Sequence, residues 1–277
     1  MKAGRRFFTV LRGVSVGCTA VSVLALLAIV VYVLYNGIGH LSLSFLFGEY
    51  GAMPSLLPAL FGTLHLVIIA VVIAVPIGIF SAIFLSEYMN RGGHLVRMIR
   101  VATETLAGIP SIVYGLFGYL VFVVALGWGY TLLGGGITLS IMILPVIVRA
   151  TEESLLAVPA GYREGAYALG ASKVRTIFRV ILPSAASGIV TAIILSVGRV
   201  VSESAVLILT IGMVVNKIPA SLLSPGTSLA LDIYYFASNG YPQEAAATSL
   251  VLLVLVVGLN LFATWIGKIL KKQSGDV

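Results

Sequence analysis

The chain has 277 residues, of which 59% are hydrophobic and only 10% are charged, and its mean hydropathy is +1.10. This composition excludes a soluble globular domain and predicts an integral membrane protein. The single cysteine excludes an internal disulfide and makes a thiolate metal site an unfavoured interpretation.

The first helix is predicted directly after a basic segment at residues 1–13, MKAGRRFFTVLRG. The uncharged run that follows, 14–35, has the length of about 20 residues that a helix needs to cross the hydrocarbon layer. No small-x-small cleavage site follows this run, so we interpret it as a retained first transmembrane helix rather than a signal peptide. Gly, Ser and Pro residues then predict an outer loop at 36–58, which contains Glu49.

The second, third and fourth spans are predicted in the next uncharged stretches. The second covers 59–85 and is expected to bend or loosen near Pro76. No charge occurs from 105 to 148, which is long enough for two spans. The glycines at 127–136 predict a tight outer turn between them.

The last two spans are predicted at 184–209 and 245–269, so that residues 59–270 form a five-helix core and 271–277 a short tail. Because backbone groups inside a bilayer must be hydrogen-bonded internally, six such runs predict an all-α membrane protein. Period-two alternation is missing, which excludes a β-barrel.

The net charge of +7 follows the predicted topology. All but two of the 17 Lys and Arg residues, Arg91 among them, fall at span ends that alternate to one side of the membrane. By the positive-inside rule that side is the cytoplasm, and both termini lie there. The exceptions are Lys217 in an outer loop and Arg199 inside a span. We therefore expect the basic residues to face membrane lipid and the cytoplasm, and not nucleic acid.

A charged segment, EGAYALGASKVRTIFRVILP at 164–183, precedes the fifth span. Its apolar residues, which include Tyr162 just upstream, Leu169 and Ile177, recur at spacings of three to five, as on one face of an amphipathic helix. Gly170 would weaken a continuous helix, so two short helices that meet at a turn fit better. Periodicity alone leaves open whether this segment binds lipid headgroups or a protein partner.

The same segment closely resembles the EAA loop of ABC-importer permeases, whose usual form is E-A-A-x3-G-x9-I-x-L-P. The matching positions are Glu164, Gly165, Ala166, Gly170, Val180, Leu182 and Pro183. The resemblance implies a type I permease fold with six transmembrane helices, in which a loop at 160–183 forms cytoplasmic coupling helices. These helices would enter a groove on a separate ATPase. All the matching residues except Val180 are expected to take part in that coupling.

Four further stretches resemble phosphate-importer permeases of the PstA type: 108–119, 149–173, 198–212 and 221–240. The resemblance covers roughly 55–270. It implies a permease subunit of an ATP-driven phosphate importer in a bacterial or archaeal plasma membrane, with no cofactor of its own. The implied partners are a homologous PstC-type permease, two PstB-type ATPase subunits and an external PstS-type phosphate-binding protein. The sequence SES-A-V-L replaces the common GET-A-P-L at 202–207, which leaves another oxyanion, molybdate or phosphonate, as an alternative substrate.

Arg199, Glu203, Arg149 and Ser111 are the candidate residues of the substrate pathway. Arg199 and Glu203 are four residues apart on the predicted fifth span, so they are expected on one helical face, either at the pathway or as a structural ion pair. An arginine offers a planar set of donors to a tetrahedral oxyanion. PstA-type permeases carry arginines at the positions of Arg199 and Arg149, which implies two successive stations. The alternatives are membrane anchoring for Arg149 and a simple helix start for Ser111.

Enzymatic activity is not expected from this chain. No G-x-x-x-x-G-K-[ST] motif, nucleophile–base arrangement or cluster of metal-ligand residues is found in the sequence. The functions that compete with a permease subunit are a channel or ion-coupled carrier that works alone and a membrane scaffold for phosphate signalling.

Overall fold

The structure is a computed structural model that describes residues 2–48, 50–51, 54–89 and 93–273, with the backbone alone at 2–10 and 271–273. Glu49, Arg91 and the end of the predicted tail, 274–277, lie outside these residues. Within the described ranges the chain folds into helices and contains no β-strand. The prediction of an all-α protein is confirmed.

The α-helices follow one another in chain order, and all of them are used below. They are α1 (Lys2–Ile38), α2 (Leu43–Phe47), α3 (Leu57–Ile83), α4 (His94–Ala107), α5 (Ser111–Gly118), α6 (Leu132–Ala157), α7 (Ala160–Ala168), α8 (Lys173–Thr176), α9 (Leu182–Val201), α10 (Ala205–Thr210), α11 (Leu229–Ser238) and α12 (Pro242–Gln273). Three π-helical turns extend these helices: Phe84–Tyr88 after α3, Tyr119–Ala125 after α5 and Ile177–Ile181 before α9.

Five segments are long and apolar enough to cross a membrane. They are Leu11–Ile38, Leu57–Tyr88, Leu132–Ala157, Lys173–Val201 and Pro242–Leu270. The predicted third span is a bent pair, because α4 and the helix Ser111–Ala125 meet at an angle of 97°. The bend falls at Gly108 and Pro110, where one helix ends and the next begins.

The glycines at 134–136 do not form the turn that the sequence predicted. They lie in the first turns of α6, which begins at Leu132 with the Thr131 hydroxyl accepting a hydrogen bond from the Gly134 N–H at 3.1 Å. A Cβ at Gly136 would lie 2.6 Å from Cγ2 of Ile69 on α3. The glycines therefore allow two helices to approach closely, and the outer turn is formed by the residues that precede Thr131.

The predicted fifth span ends earlier than expected, because α9 ends at Val201 rather than near residue 209. The side chain of Glu203 accepts hydrogen bonds from the N–H groups of Ala205 at 3.0 Å and Val206 at 3.3 Å. Glu203 therefore starts a new helix, α10, instead of continuing α9.

The core of the bundle lies between α3 and α6, which form the most extensive helix pair. Its fully buried side chains include Leu66, Leu139, Ile143 and Ile147. Helix α3 runs through Pro76 without interruption. Helix α1, by contrast, packs mainly along α12 and leaves its apolar side chains exposed, as expected for a surface that faces lipid.

Candidate functional site

The predicted coupling loop consists of two short helices, as its sequence indicated. Helix α7 ends at Ala168, Gly170 adopts a left-handed φ of +79°, and α8 begins at Lys173. The Ser172 hydroxyl accepts a hydrogen bond from the Arg175 N–H at 3.4 Å, which closes the turn. Gly170 is needed there because side chains disfavour this left-handed conformation.

One face of the loop is open to partners. Glu164 is exposed and forms no ion pair with any side chain that the structure describes. A Cβ at Gly165 or at Gly170 would meet no atom within 4 Å. Leu169, which periodicity placed on the face turned to protein or lipid, is 91% exposed on the surface of the single chain. Tyr162 and Tyr167 of α7 are exposed as well, so the loop presents several apolar side chains on its surface.

The opposite face of the loop is held to the bundle by residues that sequence reasoning had not singled out. Arg163 on α7 forms an ion pair with Glu87, at the end of α3, with Nη2 and Oε1 2.6 Å apart. Lys173 on α8 lies over the ring of Tyr88, 4.6 Å from its centroid. Leu182 and Pro183, the last residues of the predicted loop, form the first turn of α9. One face of the loop is thus exposed, while its other face is held by contacts with the end of α3.

Arg199 and Glu203 do not form the ion pair that their spacing suggested. Arg199 lies in the last turn of α9, and Glu203 lies beyond the helix end with its carboxylate on the first N–H groups of α10. The guanidinium of Arg199 is exposed and has no carboxylate partner among the described side chains. It lies near enough to Tyr114 on α5 to interact electrostatically with its hydroxyl. Arg199 is therefore available to an anion.

Ser111 is the first residue of α5, directly after Pro110, and is half-buried. Tyr114, one turn further along α5, donates a hydrogen bond from its hydroxyl to the Leu106 carbonyl at 2.8 Å. This bond spans the bend between α4 and α5. Because Tyr114 is also the neighbour of Arg199, the structure places Ser111 and Arg199 in the same region of the bundle.

Arg149 lies on α6 in a separate cluster of charges. Its guanidinium pairs with Glu153 at 3.0 Å and with Glu104 at 3.6 Å. Arg100 pairs with Glu152 beside it at 2.6 Å. The five side chains line a cavity of about 180 Å³. Arg149 is thus already neutralised, whereas Arg199 is not.

The two arginines lie at different depths in the bundle. Because α6 begins at Leu132 rather than near Gly136, Arg149 is about 26 Å along the helix from its outer end, and not about 20 Å as predicted. Arg199 is likewise about 26 Å from Leu182, where α9 begins. In the predicted topology, in which α6 runs inwards and α9 outwards, these distances correspond to an inner position for Arg149 and an outer position for Arg199.

Comparisons with known proteins match most of the chain. The model of the family described as "Binding-protein-dependent transport system inner membrane component" matches residues 74–274. The "Probable ABC transporter permease protein YqgI" of Bacillus subtilis (strain 168) is 33% identical over 275 residues, which cover 92% of this chain and 93% of that protein. The "Phosphate transport system permease protein PstA" of Mycobacterium leprae (strain TN) is 37% identical over 209 residues, which cover 74% and 67%.

Among solved structures, an inward-facing form of the MetNI methionine ABC transporter is similar in fold. Its TM-score is 0.60 and its sequence identity is 20%, over 78% of this chain and 94% of that chain. At that identity the likeness concerns the fold alone.

Proposed function

The chain belongs to the family of binding-protein-dependent transport system inner membrane components and is an ABC-importer permease of the PstA type, and we propose that it forms half of the translocation pathway of an inorganic phosphate importer. A permease of this family is a multi-pass protein of the plasma membrane that works with an ATPase and a substrate-binding protein. The predicted type I importer fold is confirmed. The observation that carries the proposal is the exposed pair of helices α7 and α8, which bears the EAA-type residues on a fixed base.

We propose that α7 and α8 bind the ATPase subunit on the cytoplasmic side. Glu164 has no partner within the described chain, so it is free to pair with a basic group on the ATPase rim. Gly165, Ala166 and Gly170 allow a close approach, and Leu169 supplies an apolar contact. We further propose that both termini are cytoplasmic, which the distribution of Lys and Arg along the sequence supports, and that the chain divides into 1–13, 14–35, 36–58, 59–270 and 271–277.

We propose Arg199 as the outer station of the phosphate pathway, with Ser111 nearby and Arg149 as an inner station. An exposed guanidinium without a carboxylate partner binds an oxyanion without first breaking an ion pair. Arg149 must leave Glu104 and Glu153 before it can do the same. Glu203 shapes the pathway indirectly, because it fixes the break between α9 and α10. The proposed partners are a PstC-type permease, two PstB-type ATPase subunits and a PstS-type binding protein.

A second candidate substrate is another oxyanion, such as molybdate or phosphonate. This alternative rests on residues 202–207, close to Arg199, where the sequence SES-A-V-L differs from the common PstA-type sequence. These residues form the helix break and the start of α10. A change there alters the backbone beside the proposed anion site.

Reconstitution tests the function directly. The chain is placed in liposomes with the second permease, the ATPase and the binding protein, and uptake of radiolabelled phosphate is measured with and without ATP. We expect uptake that needs both ATP and the ATPase, and that excess molybdate or phosphonate does not reduce. Loss of the signal to either competitor would reassign the substrate. Uptake by this chain without the ATPase would instead favour a carrier that works alone.

A further inference from the structure

The π-helical turn that ends α3 contacts both helices of the coupling loop. We refer to Phe84–Tyr88 as the α3 turn. Its Glu87 carboxylate accepts hydrogen bonds from Arg163 on α7, from Nη2 at 2.6 Å and from Nε at 3.2 Å. The next residue, Tyr88, carries Lys173 of α8 over its ring at 4.6 Å. Two adjacent residues of one transmembrane helix therefore each hold one helix of the loop.

The contact between Glu87 and Arg163 is buried and completed by backbone groups. The side chains are only 7% and 15% exposed. The remaining guanidinium N–H groups donate to the carbonyls of Val158 at 3.0 Å and Leu155 at 2.9 Å, at the C-terminal end of α6. Arg163 therefore joins α3, α6 and α7 through one rigid planar group. Removing one member would leave the other charge buried without a partner, so the three elements are held together strongly.

The other ion pairs of the described chain do not reach the loop. Arg100 and Glu152 connect α4 with α6, and Arg149 pairs with residues of α4 and α6. Covalently, the loop is joined to the bundle only through α6 and α9. The α3 turn adds a third, noncovalent connection, and it leads into the helix that packs most extensively on α6.

We propose that the α3 turn transmits the displacement of α7 and α8 to α3, with Glu87 and Arg163 as the positioning residues of this connection. The inference rests on the proposed function, because it requires an ATPase that moves the loop. When the loop is pushed, α7 carries Arg163, and the buried pair moves the end of α3 with it. Tyr88 and Lys173 hold α8 to the same end. The loop and α3 then shift together rather than sliding past each other.

The test is a distance measurement between the loop and α3 in the complete complex. Cys18, the only cysteine, is exposed and is replaced by Ser. Spin labels are placed at Gly161→Cys on α7, where an added Cβ meets no atom within 4 Å, and at Ile77→Cys on α3, and both positions are exposed. We expect a narrow distance distribution that does not change between the nucleotide-free and ATP-bound states. In Glu87→Gln the distribution is expected to broaden and to shift on ATP binding.

Glu152→Gln is the matched control for the label distance. Its carboxylate is also buried and its ion pair has the same length of 2.6 Å, but its partner Arg100 lies outside the loop. We expect the Glu152→Gln distribution to match that of the wild type. If Glu87→Gln does not assemble, Lys173→Met removes the second contact at the surface, and a smaller broadening of the same distribution is expected.

The second readout is the amount of phosphate transported per ATP hydrolysed. Glu87→Gln is expected to lower this ratio about tenfold, which corresponds to about 1.4 kcal/mol, while ATP hydrolysis continues. A narrow, nucleotide-independent distance together with an unchanged ratio in Glu87→Gln would overturn the inference. A wild-type complex that hydrolyses ATP but transports no phosphate would instead contradict the proposed function, and the distance measurement would still decide the role of the α3 turn.

Discussion

Asp232 on α11 is expected to make the stability of the protein depend on pH. Its side chain is completely buried, and Oδ1 accepts a hydrogen bond from the Thr227 hydroxyl. Oδ2 has no hydrogen-bond partner among the described residues. Helix α11 is not one of the candidate membrane spans. Because burial disfavours the charged form, the pKa of the carboxyl rises from its ordinary value of 3.8 to about 7.

The sign and size of the effect follow from proton binding. Between pH 3.8 and pH 7 the folded protein keeps the Asp232 proton while the unfolded chain has lost it. Stability therefore falls as pH rises through this window, by about 1.4 kcal/mol for each pH unit, and the loss is complete above the folded pKa. Between pH 5 and pH 8 this amounts to about 3 kcal/mol. Asp232→Asn cannot ionise, so the contribution disappears.

Thermal unfolding in detergent, followed by intrinsic fluorescence at pH 5 and pH 8, measures the difference. All other side chains are the same in both proteins, so the comparison between wild type and variant isolates Asp232. We expect the wild type to lose about 5–10 °C more than Asp232→Asn over this range. Equal pH dependence of the two proteins would refute the reasoning and show that the buried carboxyl has an ordinary pKa or reaches water.

Three further predictions concern transport. Arg199→Ala is expected to lower phosphate uptake by about 10- to 100-fold, since charged hydrogen bonds contribute about 1.5–3 kcal/mol. Arg199→Lys is expected to keep only part of the wild-type uptake, because lysine lacks the planar set of donors. Equal uptake by the wild type and both variants would mean that Arg199 has only a structural role. Gly170→Ala is expected to weaken ATPase binding about tenfold in a titration with labelled ATPase. The reason is that a residue with a side chain loses about 1–2 kcal/mol of conformational free energy in the left-handed backbone conformation. Unchanged affinity would contradict the role of the turn. Glu164→Arg should lower the phosphate transported per ATP while the complex still assembles, and a normal ratio would argue against a basic partner on the ATPase.

The sequence predicted the bundle and the coupling loop because both rest on local signals. Long apolar runs marked the spans, and Gly170 marked the turn between α7 and α8. The ion pair between Glu87 and Arg163 was missed because its members are 76 residues apart, and only the folded chain brings them together.

The errors in the spans have a common physical cause. An apolar run does not show where a helix breaks inside the protein, because polar groups can satisfy the freed backbone there. Glu203 does this at the start of α10. The glycines at 134–136 were taken for a turn because their use in close packing against Ile69 and Ile211 depends on neighbours that are distant in sequence.

Cross-linking from the coupling loop tests the central claim most directly. Gly165→Cys, in the Cys18→Ser background, has room for its side chain and faces outwards, whereas Gly258→Cys on α12 is a control with equal space inside a span. With a thiol-reactive photocrosslinker, which inserts into C–H bonds of protein or lipid, in cells that contain the ATPase, we predict a covalent adduct of ATPase mass from Gly165→Cys and none from Gly258→Cys. Adducts with lipid alone, or modification of Gly165→Cys by a membrane-impermeant reagent added outside intact cells, would contradict the account.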